Sequence, residues 1–426
     1  MSNFASKRVV VTGTGLVSPL GATTNLSWER LIRGESGIRA LLPEMYGDTP
    51  VKIGGRVPNI EEDAEGGLDL DKFIPLKEQK KGDRFIHLAL VAAEEALQQA
   101  GLLTLSEEEK LNVATIIATG IGGFHAITNA VNTVSEKGSK RMSPFTVPSF
   151  IANLAAAQVS IKYGFKGISG TPVSACAASV QAIGDGFKTI MTEDVDIAVV
   201  GGSESCINAV SLGGFNAARA LTIGFNDAPE KASRPFDAQR SGFVMSEGAG
   251  VLVLEELEHA KRRGATILAE VKGYGTTSDA WHITAGPEDG EGAARAMSGA
   301  LKKAEMRPEE IDYINAHSTS TPVGDKAEIF ALKTVFGDNR PFISSTKSAT
   351  GHMLGAAGAA GAIFSIKALN ESLVPASLNI EEVDEDAQTL NIVKEGAKKA
   401  ALSTAMVNGF GFGGVNASVI FSKYQD

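Results

Sequence analysis

Short β-branched apolar runs alternate along the chain with longer Ala-rich segments whose apolar residues recur at helical spacing, the pattern of strands and helices stacked in layers. The runs predict strands at 7–12, 113–118, 195–201, 250–255, 267–273, 311–316, 342–345, 403–408 and 415–421. Helices are predicted over 81–100, 150–162, 178–192, 290–304, 325–336 and 356–370. The last two strands follow one another without a helix, so the sheet is mixed rather than wholly parallel. The basic run His259, Lys261, Arg262, Arg263 separates two blocks of similar element order, which implies an α/β protein of two related halves, 1–258 and 259–426. Segments 34–72 and 219–248 lack periodicity and read as long functional excursions. Asp325, with Glu328 three residues on and Ile329, Phe330 and Leu332 behind it, reads as a helix N-cap with a reciprocal Glu.

Charge narrows the partners. With 40 basic and 50 acidic residues, a net charge of −10 disfavours any general grip on nucleic acid or an anionic membrane, so an anionic partner must dock on a local basic patch. Two cysteines are too few for a disulfide framework, and the apolar stretches are broken well short of a membrane span. Lys7-Arg8 followed by Val9–Val11 imitates a signal peptide, but Thr12, Gly13 and Gly15 cut the apolar run to three residues. The expectation is an opening strand in a soluble, cytoplasmic protein.

Cys176, in VSACAAS, directly precedes a helical run, where the dipole and unpaired N–H groups favour thiolate over thiol. It is either a nucleophile or a small buried thiol; Cys206, in GGSESCIN, has only a packing role. His317, in NAHSTSTPVGD, and His352, in SSTKSATGHMLGAAG, each close a strand and enter a turn, the usual place for active sites in α/β sheets. His87 and His259 read as surface positions, and His125 and His282 as residues that could line a cleft. No His pair has metal-ligand spacing. Gly409, Gly411 and Gly414 satisfy a dinucleotide pattern, but a strand follows where the helix should be. Ser18 replaces the third glycine of an earlier candidate, GTGLVSPLG. GFGFGG is better read as a tight loop presenting N–H groups, with Phe410 and Phe412 as aromatic pocket walls.

Together, SACAAS, NAHSTSTPVGD, SSTKSATGHMLGAAG and NGFGFGGVNAS resemble the elongating β-ketoacyl-acyl carrier protein synthases, over nearly the whole chain. The initiating type carries Asn in place of the second His, and thiolases need a second catalytic Cys near the C-terminus. The resemblance implies a thiolase-like αβαβα fold of two halves with mixed five-stranded sheets, and a homodimer. It implies an acyltransferase of fatty-acid biosynthesis, with Cys176 taking an acyl chain from acyl carrier protein. The N–H groups of Cys176 and Phe412 would form an oxyanion hole, and His317 and His352 would stabilise the enolate left by malonyl decarboxylation. Lys347 would hold the charge balance, Phe412 would gate the pocket, and Ile121 would line it. Thr319 and Thr321 would bind phosphopantetheine, and Lys77, Lys80, Lys81, Lys140, Arg141 and Arg219 would dock the acidic carrier. No metal or organic cofactor is implied. Two departures stand out: Gly361 where relatives carry Glu, leaving Lys347 short of a partner, and Ser318 where they carry Gly. They leave room for a specialised paralogue acting on unusual chains or in polyketide synthesis.

Overall fold

A computed structural model describes residues 7–192 and 194–425. Strands β1 (Val9–Val17), β2 (Val113–Ala118), β3 (Ser169–Gly170), β4 (Ile197–Glu204) and β5 (Gly248–Glu256) lie in the order β1-β5-β4-β2-β3. The second half contributes β6 (Ala269–Ser278), β7 (Tyr313–Asn315), β8 (Phe342–Ser344), β9 (Asn391–Ile392), β10 (Thr404–Gly411) and β11 (Val415–Ser422). Their order is β6-β11-β10-β7-β8, the same winding, with β9 added at the outer edge. In each half the first two pairings are antiparallel and the next two parallel. Hydrogen bonding of Val9–Val11 with Ala269–Val271 joins the two into one ladder of eleven strands.

The helices longer than two turns are α1 (Thr24–Ile32), α2 (Arg84–Ala100), α3 (Phe124–Lys137), α4 (Leu154–Tyr163), α5 (Ala178–Met191), α6 (Ala209–Ala217), α7 (Glu291–Ala304), α8 (Pro322–Phe336) and α9 (Ala357–Glu371). α5 and α9 lie between the inner faces of the two sheets, in a core that takes Val200 and Leu254 from one and Val407 and Val419 from the other. α2 and α4 cover the outer face of the first sheet, and α7 and α8 that of the second. Strands buried on both faces need apolar residues at successive positions, which is why they read as continuous runs.

Close helix–strand contact explains the glycines that failed as a nucleotide fingerprint. A Cβ at Gly13 or Gly15 of β1 would meet the carbonyl oxygens of Ala96 and Ala92 on α2. At Gly273 and Gly275 of β6 it would meet those of Ala300 and Ala296 on α7. Each half thus begins with a Gly-x-Gly strand against an Ala-x-x-x-Ala helix, the second a structural echo of the first.

Three helices went unread in the sequence. α3 has none of its residues buried and so carries no apolar stripe facing a core. α6 contains Gly213 and Gly214, and α1 buries a mixed set that includes Ser27 and Arg30. The reading of His87 is corrected: it is 7 % exposed, because the loop through Gly82 closes over its side of α2, and burial holds its imidazole down at about 4. His259 is half-buried and bonds the Glu255 carboxylate at 2.9 Å. Among the described residues no helix is long and apolar enough to cross a membrane.

The contact between β1 and α2 leaves no room for a methyl group against backbone. Gly15→Ala is expected to cost about 1–3 kcal/mol through overpacking. The midpoint of denaturant unfolding measures it; an unchanged midpoint would show that the helix yields freely.

Candidate active site

Loops at one end of both sheets converge. Cys176 lies on a short turn, Ala175–Ala177, that runs directly into α5; a matching turn, Leu354–Ala356, runs into α9. Ala175 (φ 50°) and Leu354 (φ 45°) both adopt the left-handed conformation, strain of about 1–3 kcal/mol each that surrounding packing must impose. His317 follows β7, while Lys347 and His352 follow β8, outside the carboxyl ends of parallel strands. The elements that place the thiol and the second imidazole are therefore counterparts in the two halves.

The Cys176 sulfur lies 3.0 Å from His352 Nε2. The rings of His317 and His352 stand 5.6 Å apart at 82°, with Phe410 against His317 and Phe243 against His352. Backbone N–H groups of Cys176 itself and of Phe412 lie where they favour the sulfur's anion. Phe412 is 37 % exposed, on the loop between β10 and β11. The three side chains border a cavity of about 370 Å³, also lined by Thr319, Thr321, Arg219, Phe410 and Phe412. The two threonine hydroxyls are 3.2 Å apart. Ile121 does not border that cavity; like Cys176 and Phe215 it packs against the apolar cluster that contains Leu354 and Cys206.

Desolvation dominates the electrostatics. Packing around the sulfur pushes the Cys176 thiol up to about 12, against the pull of the Lys347 ammonium and the two N–H donors. This corrects the expectation of a resting thiolate: the helix terminus helps, but loss of water costs the anion more. Burial, reinforced by Lys347, holds both imidazoles well below the usual histidine range, so they are neutral near pH 7. His352 Nδ1 is buried without a protein partner among the described residues, so no neighbour fixes the tautomer. Nε2 can therefore accept from a thiol or donate to an oxygen. Cys206 is fully buried with its sulfur 3.9 Å from that of Met245, a packing role.

Burial also brings Lys347 down to about 8, opposed first by Glu328. Its Nζ donates to the Ala316 carbonyl at 3.1 Å. Gly361 lies against Asn315, so the missing carboxylate is not restored there; Glu328 supplies the nearby negative charge instead. Glu328 accepts from the N–H groups of His317 and Ser318, the Ser318 hydroxyl and the Asn408 amide. The Ser318 departure thus adds a donor to this carboxylate.

The N-cap reading of Asp325 is wrong. α8 begins at Pro322, and Asp325 is fully buried, accepting from the N–H groups of Thr319, Ser320 and Phe236. Pro at the first helical position was the available signal; it puts Asp325 and Glu328 within α8, where both hold the loop after His317. Of the cleft candidates, His282 is exposed and does not border the cavity, although Asp279 and Thr284 of its segment do. His125 is half-buried near Asp83. Of the basic residues, Lys81 sits over the Phe145 ring at 5.5 Å and pairs with Glu78, while Lys77, Lys80, Lys140 and Arg141 are exposed. Among the described residues no group of three His, Cys, Asp or Glu side chains is placed to hold a metal ion.

A thiol with two neutral imidazoles and converging N–H donors defines an acyl-thioester enzyme in which both oxyanion and enolate charge can be met by hydrogen bonds. Comparison with known proteins agrees: residues 6–260 match the N-terminal domain of beta-ketoacyl synthases, and 268–381 the C-terminal domain. The 3-oxoacyl-[acyl-carrier-protein] synthase 2 of Rhizobium meliloti is 47 % identical over 420 residues, covering 98 % of this chain and 99 % of that protein. The mitochondrial 3-oxoacyl-[acyl-carrier-protein] synthase of Arabidopsis thaliana is 44 % identical, over 99 % and 94 %. Among solved structures, a beta-ketoacyl synthase from Burkholderia phymatum superposes with a TM-score of 0.89 at 33 % identity, covering 98 % of this chain and all of that one. A type II polyketide ketosynthase in complex with its acyl-carrier protein gives 0.88 at 30 %, covering 99 % and 100 %. The chain belongs to the beta-ketoacyl synthase family.

The Lys347 ammonium is charged below about pH 8 and helps the sulfur ionise. Lys347→Ala is expected to slow alkylation of Cys176 by iodoacetamide at pH 7 about tenfold, one unit of thiol pKa. An unchanged rate would show that the ammonium does not act on the sulfur.

Proposed function

We propose that this chain lengthens acyl groups by decarboxylating condensation with malonyl-acyl carrier protein, the two-carbon elongation step of fatty-acid biosynthesis. One observation carries the reading: the contact of 3.0 Å between the Cys176 sulfur and His352 Nε2, with His317 alongside. In the first half-reaction the sulfur attacks the acyl-carrier thioester and its proton passes to His352. The carbonyl oxygen takes its charge against the N–H groups of Cys176 and Phe412. The carrier leaves as its thiol, and the acyl chain stays on Cys176.

In the second half-reaction the malonyl C–C bond breaks, carbon dioxide leaves, and the electron pair passes to the thioester oxygen as an enolate. Neutral His317 and His352 donate hydrogen bonds to that oxygen, which is why burial that keeps both uncharged suits the step. The enolate carbon then attacks the acyl carbonyl, the S–C bond breaks, and the departing Cys176 thiolate takes up a proton from solvent. Thr319, Thr321 and Arg219 border the cavity through which the pantetheine arm would reach the thiol. The proposed division at 258/259 gives the nucleophile to the first half and both imidazoles to the second.

Carrier docking on Lys77, Lys80, Lys81, Lys140, Arg141 and Arg219 is part of the proposal, supported by the solved ketosynthase bound to its acyl-carrier protein. So are a homodimer and, as the working compartment, the cytoplasm. Ile127, Val131 and Val134 leave an apolar stripe of α3 exposed, and β3 ends the sheet with a free edge. The polyketide alternative is less well supported: identity to the polyketide ketosynthase is 30 %, against 47 % and 44 % to the two 3-oxoacyl synthases.

Cys176→Ala is expected to abolish acylation and extension with acyl- and malonyl-carrier while the protein stays folded; retained condensation would show that another group is the nucleophile. Cys176→Gln, which imitates the acylated state, is expected to keep malonyl decarboxylation, and adding His352→Ala to suppress it, read as carbon dioxide release. Val131→Glu is expected to shift the sedimenting species toward monomer; an unaltered dimer would place the interface elsewhere.

A further inference from the structure

Glu204, the last residue of β4, is a completely buried carboxylate that the chemistry above does not use. Its Oε2 accepts from the N–H groups of Gly120 at 2.6 Å and Gly355 at 3.0 Å. Its Oε1 accepts from the Thr119 hydroxyl at 3.0 Å and the Ile121 N–H at 3.2 Å. No ion pair engages it among the described residues; the charge is held by peptide and hydroxyl dipoles, and burial pushes its carboxyl upward. A buried anion without a cation is costly, and removing one acceptor would leave main-chain donors unpaired.

What the four donors belong to gives the carboxylate its meaning. Thr119–Ile121 is the segment leaving β2, whereas Gly355 lies in the turn that enters α9, just beyond His352. The two segments touch back to back: a Cβ on Gly355 would come 2.1 Å from the Gly120 nitrogen, so neither has slack to accommodate movement of the other. Leu354 belongs to the apolar cluster against which Ile121, Cys176 and Phe215 pack. Leu354 keeps its left-handed backbone immediately before the Gly355 N–H that Glu204 holds.

We infer that Glu204 is a positioning residue that clasps the turn carrying Leu354, a wall of the cavity at Cys176, to the segment leaving β2, and so limits the chain length Cys176 accepts. The inference rests on the elongation reading above. The carboxylate has a second effect on the same atom, because its charge lies close enough to Cys176 to oppose ionisation of the thiol. A Gln at this position keeps the shape but offers one acceptor oxygen, turns N–H donors against N–H donors, and removes the charge.

The test compares wild type, Glu204→Gln and Thr119→Val in kcat/KM for octanoyl- and palmitoyl-carrier, with alkylation of Cys176 by iodoacetamide at pH 7 as a second readout. Glu204→Gln is expected to change the ratio between the two chains by about tenfold, the scale on which apolar pockets discriminate. It is also expected to speed alkylation. Thr119→Val, which removes only the hydroxyl donor, is expected to move the chain-length ratio in the same direction by less, and it decides the matter if Glu204→Gln does not fold. Equal losses for both chains, or an unmoved ratio, would overturn the inference, since a merely structural residue lowers both rates together. If wild type itself transfers neither acyl group, it is the elongation reading that fails.

Discussion

Burial of ionisable groups around one small cavity governs this protein. Around it a thiol, two imidazoles and an ammonium are each driven toward their neutral forms by burial, and the few charges that remain are offset by fixed dipoles and by Glu328. The resting site therefore stores little charge separation. In the proposed reaction charge would develop at an oxygen facing N–H donors or at one facing neutral imidazoles, where a low local dielectric makes preplaced hydrogen bonds most effective.

Building such a volume takes rigid walls, and the repeated winding of the two halves supplies them. The Gly-x-Gly strands press against α2 and α7, both sheets close on α5 and α9, and the strained turns at Ala175 and Leu354 are held from several sides. The Cys176 thiol and its imidazole partner stand at corresponding places in the two halves. Their approach to 3.0 Å thus follows from how the halves pack rather than from any local loop preference.

Carboxylates divide the remaining work. Asp325 and Glu328 fasten the loop after His317 through main-chain N–H groups, and Glu328 also sets the field at Lys347. Glu204 fastens Gly120, Ile121 and Gly355. These are polar networks with nearly every oxygen occupied, which buried charge requires if it is not to disrupt the packing around it.

Much of this was legible one residue at a time. Continuous apolar runs marked strands covered on both faces, Ala-rich periodic segments marked the covering helices, and the four ordered motifs marked Cys176, His317, Lys347 and His352. α3 was passed over although Ile127, Val131 and Val134 recur at helical spacing; none of its residues is buried in the core. Which groups could react, and which segments carry them, follows from residue type and neighbours along the chain. Tertiary structure alone decided that the thiol rests protonated, that His87 lies inside, and that Asp325, Glu328 and Glu204 are braces rather than caps or surface charges. Desolvation and long-range hydrogen bonds are properties of what surrounds an atom in space, and nothing in the order of the residues fixes that until the chain has folded.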